Sequence, residues 1–374
     1  MPHRFYISCI LKTILLLFVS AAFVNTVSAT EGTWKCSDYS LWLSYNKEVQ
    51  PGDALFLRLR LTPLTNSLKK NRGTCSGKIT LSAGEWSGAA VIENSADGTY
   101  ADSGAAVKNG PAGNSSATTK AAGSASFYQV TKKTPGVPRQ SYDSLLAGIP
   151  LSSYCKPGNY TLTVTYSAFG ISESKFMLPV VILPKEFVKE IIPLDEKNTS
   201  IKTDTGKERI NQIDRLNAIL AAINNDDVYQ TEAFVPPVRS TRRTSFFADR
   251  RIYAYSDGKS STSLHYGIDY GIPTGTPVCA CGNGKVVLAE NRISTGWSVC
   301  IEHLPGLYSL YYHMDSLLVQ EGQIVRAGQQ IGNSGCTGLA TGPHLHWEIR
   351  LNMEAVSPDF FTGDFTFEKA KVSR

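Results

Sequence analysis

The chain has 374 residues, more than the roughly 250 to 300 that one hydrophobic core usually serves, so two domains and a joining segment are expected. Its 37 Lys and Arg against 32 Asp and Glu give a formal net charge of +5, too weak a bias to argue for nucleic acid. Beyond residue 29 no stretch approaches the roughly 18 unbroken apolar residues of a membrane-spanning helix.

The opening residues carry Arg4 and Lys12, an apolar run from Ile14 to Val24, and then Val27-Ser28-Ala29, the small-x-small pattern of a cleaved signal peptide over residues 1–29. A mature protein starting at Thr30 would be exported, with a formal charge of +3 once Arg4 and Lys12 are gone. An uncleaved anchor is the alternative, since Phe5 to Leu11 is also apolar. The cleavage point has no cysteine, which argues against a lipoprotein. Cys9 leaves with the leader, and the odd set that remains (Cys36, Cys75, Cys155, Cys279, Cys281, Cys300 and Cys336) cannot all pair internally. Export permits a disulfide among Cys36, Cys75 and Cys155, although spacing does not determine connectivity. Cys279-Ala280-Cys281 lacks the two-residue spacer of redox and zinc-knuckle motifs and reads as buried small residues.

Residues 30–184 carry strand signals. Leu55, Leu57, Leu59 and Leu61 alternate with Phe56, Arg58 and Arg60, and Leu162, Val164 and Tyr166 alternate with Thr161, Thr163 and Thr165. Each run follows a Pro-Gly turn, which predicts an immunoglobulin-like antiparallel β-sandwich. Glu93 to Ser126, rich in Ala, Gly, Ser, Asn and Thr, reads as a long mobile loop. In the connector, residues 185–250, Thr205-Gly206-Lys207-Glu208 has the form of a capping box, and Ile210, Ile213, Leu216, Leu220 and Ile223 follow at helical spacing. This predicts an amphipathic helix ending near Asn224-Asn225, whose stripe packs on one domain or bridges both. Arg239, Arg242, Arg243, Arg250 and Arg251 read as solvated charge, with attraction of an anionic substrate as the alternative. Residues 251–360 return to strands and tight turns, predicting a compact, mostly antiparallel β domain, and residues 361–374 read as a C-terminal tail. The expected fold class is mainly β.

All five histidines after the leader lie between His265 and His346, and four fall in three stretches: His265-Tyr-Gly-Ile-Asp269, Tyr312-His313-Met314 and His344-Leu-His346. About 235 residues before His265 contain none, so the histidines answer a local demand, and a hydrolytic zinc centre is the first hypothesis. Glycines and Pro273 argue against a helix over His265 to Asp269, and a straight strand would set the two about 13 Å apart. The chain must therefore bend between them, with Gly267 as the residue that allows it. His344 and His346, about 6.6 Å apart on one strand face, allow one to ligate while its neighbour meets the substrate. His265, Asp269 and His346 would supply two neutral nitrogens and a carboxylate to one Zn2+, with water as the fourth ligand and nucleophile. His313 and His344 would then move protons during amide hydrolysis. His303 reads as a structural or groove residue, and Glu348 as a hydrogen-bond partner of a ligand. His-Glu-x-x-His is absent, so a glutamate-base zincin mechanism is not available.

Four segments carry a resemblance: His265-Tyr-Gly-Ile-Asp269 running on to Pro277, Tyr311-Tyr-His-Met314, Gly322 to Gln329 with Ile331 to Gly335, and Thr341-Gly-Pro-His-Leu-His-Trp-Glu348. Over about residues 250–358 the chain resembles the lysostaphin-type (LytM-like) zinc metallopeptidases. The resemblance implies an antiparallel β fold with a substrate groove, zinc on His265, Asp269 and His346, and catalytic histidines at His313 and His344. It implies an exported hydrolase, periplasmic or envelope-associated, acting on the crosslinks or stem peptides of bacterial peptidoglycan, without nucleic acid or, after leader removal, membrane as partner. The mild positive charge is compatible with an anionic wall polymer. Because some relatives lack ligands and activate amidases, the competing reading is a non-catalytic or latent wall-binding protein whose groove is covered intramolecularly by the N-terminal domain. All five positions are filled here, which favours catalysis. An adhesin or inhibitor role for the sandwich has no binding motif behind it.

Overall fold

Alternation of apolar and polar side chains gives one half of this chain two faces to bury, and it does so as two sheets. The computed structural model describes residues 31–35, 37–83, 121–130, 142–171, 173–367 and 371–372. The expected leader lies outside these residues. The N-terminal elements are β1 (Glu31–Lys35), β2 (Tyr39–Tyr45), β3 (Glu48–Val49), β4 (Ala54–Pro63), α1 (Asn66–Lys69), β5 (Ser76–Ala83), β6 (Ala121–Ser126), β7 (Tyr128–Gln129), β8 (Asp143–Pro150), β9 (Gly158–Ser167) and β10 (Ser174–Ile182). One sheet runs β1-β2-β4-β8-β7 and the other β3-β10-β9-β5-β6. Every pairing is antiparallel except β3 with β10. Leu55, Leu57, Leu59 and Leu61 from the first sheet meet Ile79, Leu81, Leu162, Val164, Leu178 and Val180 from the second in a shared core.

Two expectations change here. Ala121–Ser126, read as the end of a mobile loop, is strand β6, because small residues suffice for an edge strand paired on β5; the loop's residues 93–120 lie outside the described residues. In β4 two of the three residues between the leucines are not solvated. Phe56 and Arg58 are buried, since the outer face of this sheet meets the end of the chain. The Phe56 ring lies 5.2 Å from Phe365, 5.5 Å from Phe367 and 6.1 Å from Phe361, and Arg58 Nη1 donates to the Phe367 carbonyl at 3.0 Å. The first residues of the segment read as a tail are thus core. Phe56→Ala should lower unfolding stability in a urea titration by about 3–5 kcal/mol, the usual range for deleting a buried Phe; a loss below about 1 kcal/mol would deny this interface its packing role. Cys75 and Cys155 carry free thiols, and Cys36 lies outside the described residues.

The connector supplies β11 (Lys189–Pro193), α2 (Glu196–Thr203), α3 (Lys207–Ala221), β12 (Arg243–Ser245), β13 (Arg250–Ala254) and β14 (Ser260–Leu264). β11, β13 and β14 form a small sheet in that order, parallel then antiparallel. Helix α2 is not foreshadowed by a stripe, as Ile201 is its sole large apolar residue, but Asp195 caps it by accepting from the Asn198 backbone N–H at 2.7 Å. Helix α3 is the expected one, with corrections. Its N-cap is Gly206, so the Thr205 capping box does not form, and it ends at Ala221. Ile210, Ile213 and Ile223 are exposed, while Leu216, Ile219 and Leu220 pack on Leu288, Cys300, Tyr308, Leu310 and Tyr312 of the C-terminal domain. Polar contacts also hold the helix to this domain: Arg209 Nε donates to Ser294 Oγ (3.0 Å), and Gln212 Oε1 accepts from the Ile293 N–H (2.9 Å).

The C-terminal elements are β15 (Gly267–Tyr270), β16 (Pro277–Cys279), β17 (Gly284–Arg292), β18 (Gly296–Leu304), β19 (Leu307–Leu317), β20 (Ile324–Val325), β21 (Gln330–Ser334), β22 (Leu345–Leu351), β23 (Glu354–Val356), α4 (Pro358–Thr362), β24 (Phe365–Thr366) and β25 (Lys371–Val372). The main sheet runs β12-β15-β22-β19-β18-β17-β20, with β21 joining β16 to β19 and β23 flanking β22. One face, carrying Leu345, Trp347, Ile349, Tyr311 and Val299, forms the domain core. The other carries His344, His346 and Glu348, and helix α3 covers one end of it through Tyr308, Leu310 and Tyr312. Among the described residues no helix is long and apolar enough to cross a membrane.

Candidate metal centre

Two adjacent strands and one break between sheets make the site. Asp269 on β15 sits directly across from His346 on β22. Gly267 permits this pairing by its lack of a side chain: a Cβ there would collide with the Trp347 carbonyl and come within 2.8 Å of His346 Nε2. The bend expected at Gly267 occurs instead over His265 and Tyr266, where the chain leaves the small sheet at β14 and enters the large one at β15. Backbone bonds lock that break, from Ala248 N–H to the His265 carbonyl (2.7 Å) and from His265 N–H to the Asp249 carbonyl (3.0 Å).

The side chains then converge. His265 Nε2 lies 3.0 Å from Asp269 Oδ1 and 3.0 Å from His346 Nδ1, and His346 Nδ1 lies 2.9 Å from Asp269 Oδ1. His265 Nδ1 donates to the Phe246 carbonyl at 2.7 Å, which leaves the Nε2 lone pair facing inward. His346 is oriented the opposite way: Nε2 points to Glu348 Oε2 at 3.4 Å, and Nδ1 faces inward. Glu348 is in turn paired with Arg350. Two imidazole lone pairs and a carboxylate oxygen aimed at one point repel each other unless a cation lies among them, and this donor set fits a zinc ion.

Electrostatics agree. Burial opposes ionisation of Asp269, but His265 and His346 outweigh it and hold the carboxyl well below its usual range. Burial likewise opposes protonation of His346, yet its bonds to Asp269 and Glu348 push its pKa up to about 9, so the pocket attracts positive charge. The pKa of His265 is pushed down, chiefly by desolvation.

His313 and His344 stand beside this group. Tyr312 pairs with His346 across β19 and β22 and stacks on its ring at 5.3 Å, so in a regular strand His313 would point into the core. Its φ of +60° turns it back, with its N–H held by the Thr295 carbonyl at 2.8 Å. Its ring then lies 4.7 Å from that of His344. Both donate from Nδ1 to backbone carbonyls, His313 to Thr337 (2.7 Å) and His344 to Gly342 (2.8 Å), so that Nε2 is the ring nitrogen each has left over. Burial, with His344 and His346 adding, pushes the His313 pKa down to about 3. His344 Nε2 is 3.9 Å from Asp269 Oδ1.

This arrangement has the parts of a hydrolytic metal site. A model of peptidase family M23 matches residues 263–358. That segment is a peptidase M23 domain of the lysostaphin type. It is 37% identical over 126 residues to the peptidoglycan DD-endopeptidase ShyA of Vibrio cholerae, covering 34% of this chain and 29% of that protein. It is 44% identical over 95 residues to the DD-carboxypeptidase/endopeptidase Mpg of Neisseria meningitidis, covering 25% and 22%. The M23 catalytic domain of EnpA from Enterococcus faecalis superposes with a TM-score of 0.30 at 34% identity, covering 35% of this chain and 98% of that domain. The chain thus spans under a third of the length of these two curated relatives.

Of the other expectations, His303 is fully buried, bonded to Ser309 Oγ (2.7 Å) and the Asn283 carbonyl (2.8 Å), and stands in the core away from the site. Of the arginine group, Arg239 and Arg242 are exposed, but the other three are not simply solvated charge. Arg250 lies over Tyr154 and Phe187, Arg243 pairs with Asp359, and Arg251 reaches Asp269 itself. Reading residues singly missed Arg251, because it comes from a different sheet and its spacing from Asp269 follows no motif.

Proposed function

We propose that this protein is an exported zinc metalloendopeptidase that hydrolyses amide bonds in the crosslinks or stem peptides of bacterial peptidoglycan. The observation that carries the reading is the convergence of His265 Nε2, Asp269 Oδ1 and His346 Nδ1 within about 3.0 Å of one another. Relatives named as peptidoglycan DD-endopeptidases support the substrate, and the pattern over residues 1–29 supports export and a periplasmic or envelope location. A zinc ion held by these three residues would supply Lewis acidity, bringing the pKa of a water toward neutrality and polarising the scissile carbonyl. His344 and His313 offer Nε2 lone pairs to accept the proton of the attacking water and return it to the leaving amine. Their Nδ1–H bonds to backbone carbonyls hold the rings in the tautomer this transfer needs. Glu348 keeps His346 turned so that Nδ1 faces inward. Metal analysis of the purified protein, with mass spectrometry of digested peptidoglycan, tests the reading; a metal-free or chelator-resistant hydrolase would end it.

A latent form of this enzyme is a second reading, and helix α2 favours it. Thr199 Oγ1 accepts from the Ser256 N–H (3.0 Å) in the hairpin that leads to His265, and Asn198 Nδ2 donates to the Ala340 carbonyl (3.4 Å) in the loop that leads to His344. The helix therefore ties together the two segments flanking the histidines. The tie is weak, for Asn198 Oδ1 is buried without a hydrogen-bond partner among the described residues. Ser200→Pro, which destabilises the helix by about 3 kcal/mol through a lost backbone bond and a ring clash, should raise the hydrolysis rate on intact peptidoglycan several-fold. An unchanged or lower rate in a variant that has lost α2 protection in hydrogen exchange would remove this reading.

A further inference from the structure

We propose that Arg251 is a positioning residue that presets the Asp269 carboxylate for one-oxygen ligation, and that Glu190 of the connector completes the device. The inference rests on the zinc metallopeptidase reading and concerns residues that precede the segment matched by the family model.

Arg251 lies on β13, is 9% exposed, and places Nη2 3.0 Å from Asp269 Oδ2. The two carboxylate oxygens therefore have separate tasks, with Oδ2 accepting from the guanidinium and Oδ1 facing His265 and His346. A buried carboxylate bound through one oxygen only would be free to rotate or to offer both oxygens to the ion, filling the place a substrate carbonyl or water needs. A guanidinium donating along Oδ2 removes that freedom before the ion arrives. Arg251 is itself aimed: Nε donates to Glu190 Oε1 at 2.6 Å, and Glu190 is its register partner across β11 and β13. Glu190 also balances the guanidinium charge, so Asp269 keeps its full negative charge for the metal. Lysine could not replace this, since an ammonium on a flexible stem lacks the planar fork that spans both carboxylates.

The full-length protein, Arg251→Met and Arg251→Lys should be stripped of metal and titrated with zinc against a chromophoric chelator, with melting of the metal-free proteins as a control for folding. Outer partners of metal ligands commonly set affinity by 10–100-fold, so Arg251→Met is expected to bind zinc about 10–100-fold more weakly, and Arg251→Lys about tenfold. A role in folding alone would lower the metal-free melting temperature and leave the affinity unchanged. Zinc affinity within twofold of wild type in either folded variant would overturn the proposal. Wild-type protein that binds no zinc would instead overturn the metallopeptidase reading.

Discussion

Replacing His346 with alanine is expected to leave the protein without zinc after dialysis and to reduce peptidoglycan hydrolysis by about a thousandfold or more. His346 supplies one of only three inward-facing donor atoms, 3.0 Å from His265 Nε2 and 2.9 Å from Asp269 Oδ1. Two ligands cannot hold a catalytic zinc against solvent, and losing the several kcal/mol of charge stabilisation it supplies corresponds to about three decades of rate. Thermal melting gives an independent readout. A ligand present at about 1,000 times its dissociation constant stabilises the folded state by about 4 kcal/mol, so a chelator should lower the melting temperature of the wild type and leave that of His346→Ala unmoved. A variant that retains one zinc per chain, or hydrolyses at the wild-type rate, would remove His346 from the metal site.

His344→Ala should give the opposite pairing of results, with zinc content kept and turnover reduced by about 10²–10⁴, the range typical of removing a general acid or base. The two histidines are two residues apart on one strand face and equally well placed in sequence to be ligands. Their bonds separate them. His344 Nδ1 is committed to the Gly342 carbonyl, and its Nε2 stands 3.9 Å from Asp269 Oδ1, outside the converging three. The loss should fall on kcat with KM little changed, as expected for a group that acts in the transition state. Zinc loss in His344→Ala equal to that in His346→Ala would merge the roles assigned here. Similar behaviour is expected of His313, although alanine there also inherits a left-handed φ.

Much of the site was legible before any coordinates. Period two on β22 put His344, His346 and Glu348 on one face, and the density of histidines after residue 264 marked the region. Elements were less legible wherever the packing partner, rather than the local pattern, set the outcome. Helix α3 holds four of the five apolar residues read at helical spacing, with Ile223 past its end, and buries only part of that stripe, while Arg209 and Gln212 bond to residues 293–294 of the sheet. Phe56 reads as an outward residue of a half-buried strand, but four phenylalanines from residues 360–367 close over it.

By itself the sequence determined the mainly β class, the family segment and the identity of the histidines and aspartate that meet, because hydrophobic period and ligand chemistry are local properties readable residue by residue. Only the tertiary structure decided that Arg251 and Glu190 reach Asp269, that a positive φ returns His313 to the site face, and that α2 ties the two flanking segments together. Each of these depends on contact between strands or helices from different sheets, which no spacing along the chain encodes.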